Sequence, residues 1–182
     1  MAFLVKRFEG APDYEALHVA KLTCFPLEKR DYKPYSQARV CFDGEGALHL
    51  QLLSFEAEPL PQSEMKAVFR FEEGRPALAL SLNAIGEFSA RCGGAPVEAA
   101  AHYFTGEDLQ GVYWGGNLTV PAPALAGLFP GFSPAVGAAF SGNLYKLCED
   151  PRRPHYGCYY PADFQLPPDA PENLGGFTVI DY

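Results

Sequence analysis

The side chains best suited to chemistry gather near the C-terminal end of the sequence. Asn143 sits in the run Ser141-Gly-Asn-Leu-Tyr-Lys146, and a proline-bounded segment follows that carries Arg153, His155, Tyr156, Tyr159 and Tyr160 before Pro161. Aromatic faces beside planar hydrogen-bonding groups suit a flat, hydroxyl-rich ligand such as a sugar ring. In that reading Tyr156, Tyr159 and Tyr160 offer the faces, and Asn143, Arg153 and His155 offer the hydrogen bonds. The same residues suit packing equally well, with tyrosines seating a long loop and a histidine tying down its backbone. Trp114 alternates with Val112 and precedes Leu118 and Val120, which fits a core position as well as a ligand contact. Asn83 precedes Ala84-Ile-Gly86 at the end of an alternating run, which fits a turn-stabilising side-chain bond as well as a ligand contact.

Catalytic signatures are sparse. The four histidines, His18, His49, His102 and His155, have neither HxH nor HExxH spacing for a metal. Gly131-Phe-Ser-Pro-Ala lacks the last glycine of a nucleophile elbow. No glycine-rich loop ends in a lysine that could cradle phosphate. Carboxylates are plentiful, yet nothing in the sequence places two of them on facing strands as a glycosidase pair. A non-catalytic protein with no cofactor is the expectation. The net charge of −8 sets the chain against nucleic acid and against an anionic membrane surface, and it is compatible with a neutral ligand.

Five cysteines without CxxC spacing fit neither a disulfide framework nor a zinc ribbon. Buried free thiols are expected, with a Cys148–Cys158 bridge as the alternative. The apolar run at Phe3-Leu-Val is too short for a secretory signal, and its positive charges follow it rather than precede it. No apolar run approaches the ~20 residues of a membrane span. The chain as it stands is expected to be soluble and cytoplasmic, or extracellular if a leader has been removed. Nothing in the sequence fixes an oligomeric state.

Short strands must position these groups. Glycine and proline are frequent, at 18 and 17 residues, and they break the chain into short segments. Ala38, Val40 and Phe42 alternate with Arg39, Cys41 and Asp43, and Leu48, Leu50 and Leu52 alternate with His49 and Gln51. The intervening Asp43-Gly-Glu-Gly46 turn makes residues 38–53 a hairpin. Further strands are expected at 66–71, 77–83 and 88–91, at 112–120 with a bulge at Gly115-Gly116, at 137–147 and at 176–180. Residues 1–10 read as an edge strand. Residues 13–22 are ambiguous, 24–37 read as loop, and 95–110 are weakly patterned. A short helical turn should follow Pro121, and the proline-rich 151–171 segment should pack on the sheets. The whole reads as one all-β domain over 1–182: an antiparallel β-sandwich with jelly-roll or immunoglobulin-like layering and one or two short helical turns.

Four stretches in order carry a resemblance: Ala38–Leu53 with its Asp-Gly-Glu-Gly turn, Leu80-Ser-Leu-Asn-Ala-Ile-Gly86, Tyr113-Trp-Gly-Gly-Asn-Leu-Thr-Val-Pro121, and Gly142-Asn-Leu-Tyr-Lys146 with His155-Tyr-Gly-Cys-Tyr-Tyr-Pro161. Together they resemble the carbohydrate-binding module family 9-like domains, which are related in shape to DOMON-type sandwiches. The resemblance spans roughly residues 36–180. It implies a non-catalytic module that holds a saccharide or similar polar ligand, with Asn83, Trp114, Asn143, Arg153, His155, Tyr159 and Tyr160 as its contacts. The alternative is a degenerate member that serves as a structural or protein-interaction domain. Two departures stand out. The family's acidic strand is replaced here by Ser63-Glu-Met-Lys-Ala-Val-Phe69, and sugar-binding members clamp the sugar between two loop tryptophans whereas this chain has one, Trp114, in the strand that is usually structural. The missing carboxylates leave calcium weakly supported, since that ion takes six to eight oxygen ligands.

Overall fold

A computed structural model describes residues 1–27 and 32–181. Its described strands are β1 (Phe3–Arg7), β2 (Ala20–Lys21), β3 (Ser36–Phe42), β4 (Leu48–Phe55), β5 (Glu64–Arg70), β6 (Leu78–Asn83), β7 (Phe88–Cys92), β8 (Ala95–Pro96), β9 (Ala100–Asp108), β10 (Gly111–Val120), β11 (Ala139–Cys148), β12 (His155–Cys158) and β13 (Gly175–Ile180). One short helix, α1 (Ala122–Leu128), follows Pro121, and single 3-10 turns cover Tyr14–Ala16 and Pro171–Asn173. The mostly-β expectation holds. Among the described residues no helix is long and apolar enough to cross a membrane.

The strands form one sheet in the order β8-β7-β6-β5-β11-β13-β1-β3-β4-β10-β9, with β12 on β11 and β2 on β3 as side branches. The sheet is mixed rather than wholly antiparallel, because β1 runs parallel to both of its neighbours. Phe3 faces Phe177 and Val5 faces Val179 on β13, while Lys6 faces Cys41 on β3. The first residues are therefore an interior strand and not an edge. The alternation Phe3 and Val5 against Leu4 is the same for either neighbour direction, so strand pattern alone carries no parallel signal.

The sheet curls until its two ends face each other. A Cβ placed on Gly116 of β10 would stand 2.6 Å from Leu82 of β6. Between the halves lies an apolar core that includes Val40, Leu48, Leu50 and Leu52 on one side and Met65, Leu78, Leu80 and Leu82 on the other. Phenylalanines close the seam. Phe42 meets Phe71 at 6.3 Å between ring centroids, and Phe140 stacks on Phe177 at 5.2 Å. Each such ring buries roughly 150–250 Å², which makes them leading contributors to the hydrophobic term.

Local expectations fare unevenly. The 38–53 hairpin is present as β3 and β4, paired from Ser36↔Ser54 to Phe42↔Leu48. No bulge interrupts β10, since Gly115 and Gly116 keep regular register with Leu53 and Leu52 on one side and with Phe104 and Tyr103 on the other. Their small size serves close approach instead: a Cβ on Gly115 would meet the Leu52 carbonyl oxygen at 2.2 Å. The ambiguous 13–22 stretch splits into the 3-10 turn, where the Glu15 N–H donates to Asp13 Oδ1, and the two-residue strand β2. The proline-rich segment contributes β12, and its Phe164 packs against Tyr145 and Tyr156.

Candidate ligand-binding face

The seven residues singled out from the sequence do not share one surface. Asn83 closes the β6–β7 turn, where its Oδ1 accepts from the N–H groups of Ile85 and Glu87 and its Nδ2 donates to Glu87. It also rims a cleft of about 350 Å³ with Gln62, Glu64, Lys66, Leu147 and Glu149, a polar cleft with no aromatic ring in its lining. Asn143 is fully buried on β11. Its Nδ2 donates to the carbonyls of Tyr160 and Asn173, and its Oδ1 accepts from the N–H groups of Leu144 and Tyr160. All four of its hydrogen-bonding positions are thus engaged by the chain itself. Tyr160 accepts from the Phe3 N–H at 3.0 Å and donates to the Gly176 carbonyl at 2.6 Å, pinning β1 to β13. Tyr159 packs edge-on against Phe3, 5.5 Å between centroids, and beside Tyr160.

Trp114, His155 and Arg153 come together elsewhere, around Glu56, which lies just beyond β4. Glu56, Lys146 and His155 are each nearly or wholly excluded from solvent. Trp114 Nε1 donates to Glu56 Oε2 at 2.9 Å, and Ser63, Ser54 and Tyr32 donate to the same carboxylate. Lys146 Nζ lies 3.2 Å from Glu56 Oε2 and 2.7 Å from His155 Nε2, and it bonds Ser63 Oγ. One proton arrangement satisfies every one of these contacts. His155 Nδ1 faces the Arg153 carbonyl at 2.9 Å, an acceptor only, so Nδ1 carries the hydrogen and Nε2 accepts from Lys146. The Ser63 hydroxyl gives its own hydrogen to Glu56 and accepts from Lys146. In that arrangement the lysine uses three donors, as an ammonium ion does.

Burial alone would raise the Glu56 pKa, but the Lys146 charge and the bonds from Ser63, Trp114 and Tyr32 hold the carboxyl below its ordinary value. Burial lowers Lys146 and outweighs the attraction of Glu56. Tyr32, hydrogen-bonded to Glu56 and covered by the Arg153 guanidinium at 4.9 Å, is pushed up to about 12 by burial and by the neighbouring carboxylate. The Glu56–Lys146–His155 centre of this cluster is interior.

The groups that do face outward together lie on β3, β4, β10 and β9. Strand alternation sends Leu48, Leu50, Leu52 and Ser54 inward and His49, Gln51, Leu53 and Phe55 outward. Register then aligns the outward residues in rows across the strands. One row is aromatic, with Tyr35–Phe55 at 5.6 Å and Phe55–Tyr113 at 5.5 Å, and Phe104 of the adjoining row lies 6.4 Å from Tyr113. The rings are inclined to one another by 52°, 59° and 76°, so the strip is corrugated rather than flat. Two glycines make room for it. Tyr113 lies over Gly106 and Phe104 lies over Gly115, where added Cβ atoms would come within 2.6 Å and 3.0 Å of the respective rings.

A polar row runs parallel to the strip. Arg39 Nη1 donates to Gln51 Oε1 at 2.9 Å, and Gln51 Nε2 donates to Asn117 Oδ1 at 3.1 Å. The register Arg39↔Gln51↔Asn117 places them side by side. Four residues along a strand separate the two rows, about 13 Å, with Leu53 and Phe104 between. A surface hollow of about 310 Å³ covers this ground and is edged by Glu15, Asp108 and Gln110. A further row holds Asp43, His49 and Thr119 in one hydrogen-bonded chain. Arg39 Nη2 stands 3.9 Å from the exposed Glu15, too far for a hydrogen bond.

Parts of this face were readable in the sequence and parts were not. The alternation of His49, Gln51 and Arg39 with apolar residues marks an outward set. Nothing in one dimension joins Gln51 to Asn117, which lies 66 residues away.

No protein-family model matches the chain, and no curated protein matches it. Among solved structures it is similar to a protein from Bacteroides uniformis ATCC 8492 that carries the provisional name of a carbohydrate-binding protein. The TM-score is 0.72 at 16% identity, over 98% of each chain. At that identity the likeness establishes a shared fold.

Proposed function

We propose that the protein is a non-catalytic carbohydrate-binding module whose site is the outer face of β3, β4, β10 and β9. The observation that carries this reading is the pairing of an aromatic strip (Tyr35, Phe55, Tyr113, Phe104) with a hydrogen-bonded polar row (Arg39, Gln51, Asn117) on one exposed sheet face. A pyranose ring has a CH-rich face that lies well on an aromatic ring, and equatorial hydroxyls that match planar amide and guanidinium groups. Rows about 13 Å apart suit an oligosaccharide of two or three sugar units better than a single sugar. The fold shared with the Bacteroides uniformis protein, whose name refers to carbohydrate binding, supports the same class of ligand. The groups that the sequence brought forward lie apart from this outer face: Trp114 and His155 in the interior cluster, Asn143 and Tyr160 as clamps, and Asn83 in a turn.

The test is a calorimetric titration with neutral oligosaccharides, read together with thermal unfolding. Tyr113→Ala should abolish saturable binding, with the melting temperature moved by only a few degrees. Tyr159→Ala should leave binding in place and lower the melting temperature, because its ring packs on Phe3. Loss of binding in Tyr159→Ala but not in Tyr113→Ala would sink the assignment of the face.

A further inference from the structure

We propose that Cys24 and Cys158 form an oxidation-sensitive pair, which a peroxide converts to a disulfide that clasps the segment around Cys24 onto β12. The two residues make an isolated antiparallel bridge. Each N–H donates to the other's carbonyl, at 3.1 Å and 2.8 Å. Reciprocal bonds define a directly opposed pair with Cα atoms about 5.5 Å apart, inside the range that a disulfide spans. Directly opposed residues project from the same face, and the Cys158 thiol lies 3.5 Å from the Cys24 carbonyl oxygen. A second contact holds the segment in place, for Phe25 lies over Gly157, where a Cβ would meet its ring at 2.6 Å.

Cys148 does not compete for Cys158. In the register of β11 and β12, Cys148 faces His155 and Cys158 faces Tyr145. That is an offset of three residues, about 10 Å, and too far to bridge. The Cys148–Cys158 alternative weighed from the sequence therefore does not close.

The two thiols differ in access. Cys24 is half-buried and Cys158 is buried. Burial, reinforced by the neighbouring Cys24, pushes the Cys158 thiol up to about 12. Cys24 is thus the group that meets the oxidant. Its thiolate attacks hydrogen peroxide; an S–O bond forms, the O–O bond breaks, and the departing hydroxide takes up a proton to become water. The Cys158 sulfur then attacks the Cys24 sulfenic acid, giving its proton to the leaving hydroxide as the S–S bond forms. Two thiols are oxidised by two electrons, and one peroxide is reduced to two waters.

The experiment treats the folded protein with a small excess of hydrogen peroxide and then counts thiols in denaturant, maps peptides without reduction, and follows thermal unfolding. The thiol count should fall from five to three, with Cys24 and Cys158 in one linked peptide. Linking residues 134 apart in sequence should raise the melting temperature by ~5–10 °C, reversed by dithiothreitol. Cys24→Ser should unfold at the temperature of the reduced parent and should form no linked peptide. Sulfinic acid at Cys24 without a linked peptide would overturn the proposal, as would a disulfide joining any other two cysteines. The peptide map of the parent decides the matter even if the variant folds poorly.

Discussion

At the scale of single residues, the interior cluster around Glu56 shows why a polar side chain can look functional in a sequence and be structural in the fold. Trp114 and His155 are chemically capable groups, and each is engaged within the protein: the indole on Glu56, the imidazole between Lys146 and the Arg153 carbonyl. Glu56 opens a segment whose Pro59 and Pro61 break any strand, and no local pattern announces that its carboxylate turns inward. Breaking such a pair leaves an uncompensated buried charge, a loss of roughly 3–5 kcal/mol. Glu56→Ala should fall at the upper end, because it strands Lys146. Lys146→Met should cost less, because Glu56 keeps the donors Tyr32, Ser54, Ser63 and Trp114. Urea unfolding at neutral pH would order the two. The pH profile gives a second reading. The folded carboxyl is held below its ordinary 4.5, so its contribution is present in full above that value and is lost as the pH falls through the lower folded one. In Lys146→Met the charge that lowers Glu56 is gone, the folded pKa moves up toward the ordinary value, and the stability lost on acidification should be smaller than in the parent. An unchanged profile between pH 7 and pH 3 would mean that Lys146 does not set the Glu56 pKa.

At the scale of elements, period-2 alternation made the half-buried strands legible. β3, β4, β5 and β6 fall within a few residues of their expected places because one side of each is core and the other is not. β9 was illegible for the converse reason. It is the last strand of the path, exposed along most of its length, so no burial contrast is written into Ala100–Asp108. Its glycine partners carry the information instead. Gly106 and Gly115 do not bend the sheet; they let Tyr113 and Phe104 lie across it. Two substitutions separate these roles. In Gly115→Ala the new Cβ would meet a backbone oxygen at 2.2 Å, which cannot move without shifting β4, and a loss of roughly 2–3 kcal/mol is expected. In Gly106→Ala the obstacle is the far end of the Tyr113 side chain, which can swing away. That variant should fold with little change in melting temperature and yet bind oligosaccharide at least several-fold more weakly. Equal stability losses in the two variants, with binding kept in Gly106→Ala, would show that the ring's resting place has no part in recognition.

At the scale of the whole molecule, curling and charge together shape what the exposed face can hold. The curl buries one side of the strands in a common core and turns the other side outward, so the β3–β4–β10–β9 surface is available without any rearrangement of the fold. Its inner polar groups are neutral amides and one arginine, whereas its edge carries Glu15 and Asp108, and the chain as a whole is at −8. A protein of that charge repels polyanions, and the repulsion weakens as salt screens it over a Debye length of roughly 10 Å at 0.1 M. Recognition through rings and amides involves no net charge and should respond little to salt. A neutral oligosaccharide should therefore bind with an affinity that changes less than about two-fold between 50 mM and 500 mM sodium chloride, the screening range in which charge-dominated affinities fall steeply. A uronic-acid oligosaccharide of the same length should bind weakly at low salt and improve as salt is added. Tight binding of the uronate at low salt, weakening with salt, would point to Arg39 as the centre of an anion site and would replace the neutral-glycan reading with an acidic one. Titrating both ligands against the parent and Arg39→Gln distinguishes the two. The neutral ligand should lose only the hydrogen bonds of one guanidinium, whereas an anionic ligand would lose both its affinity and its salt dependence together.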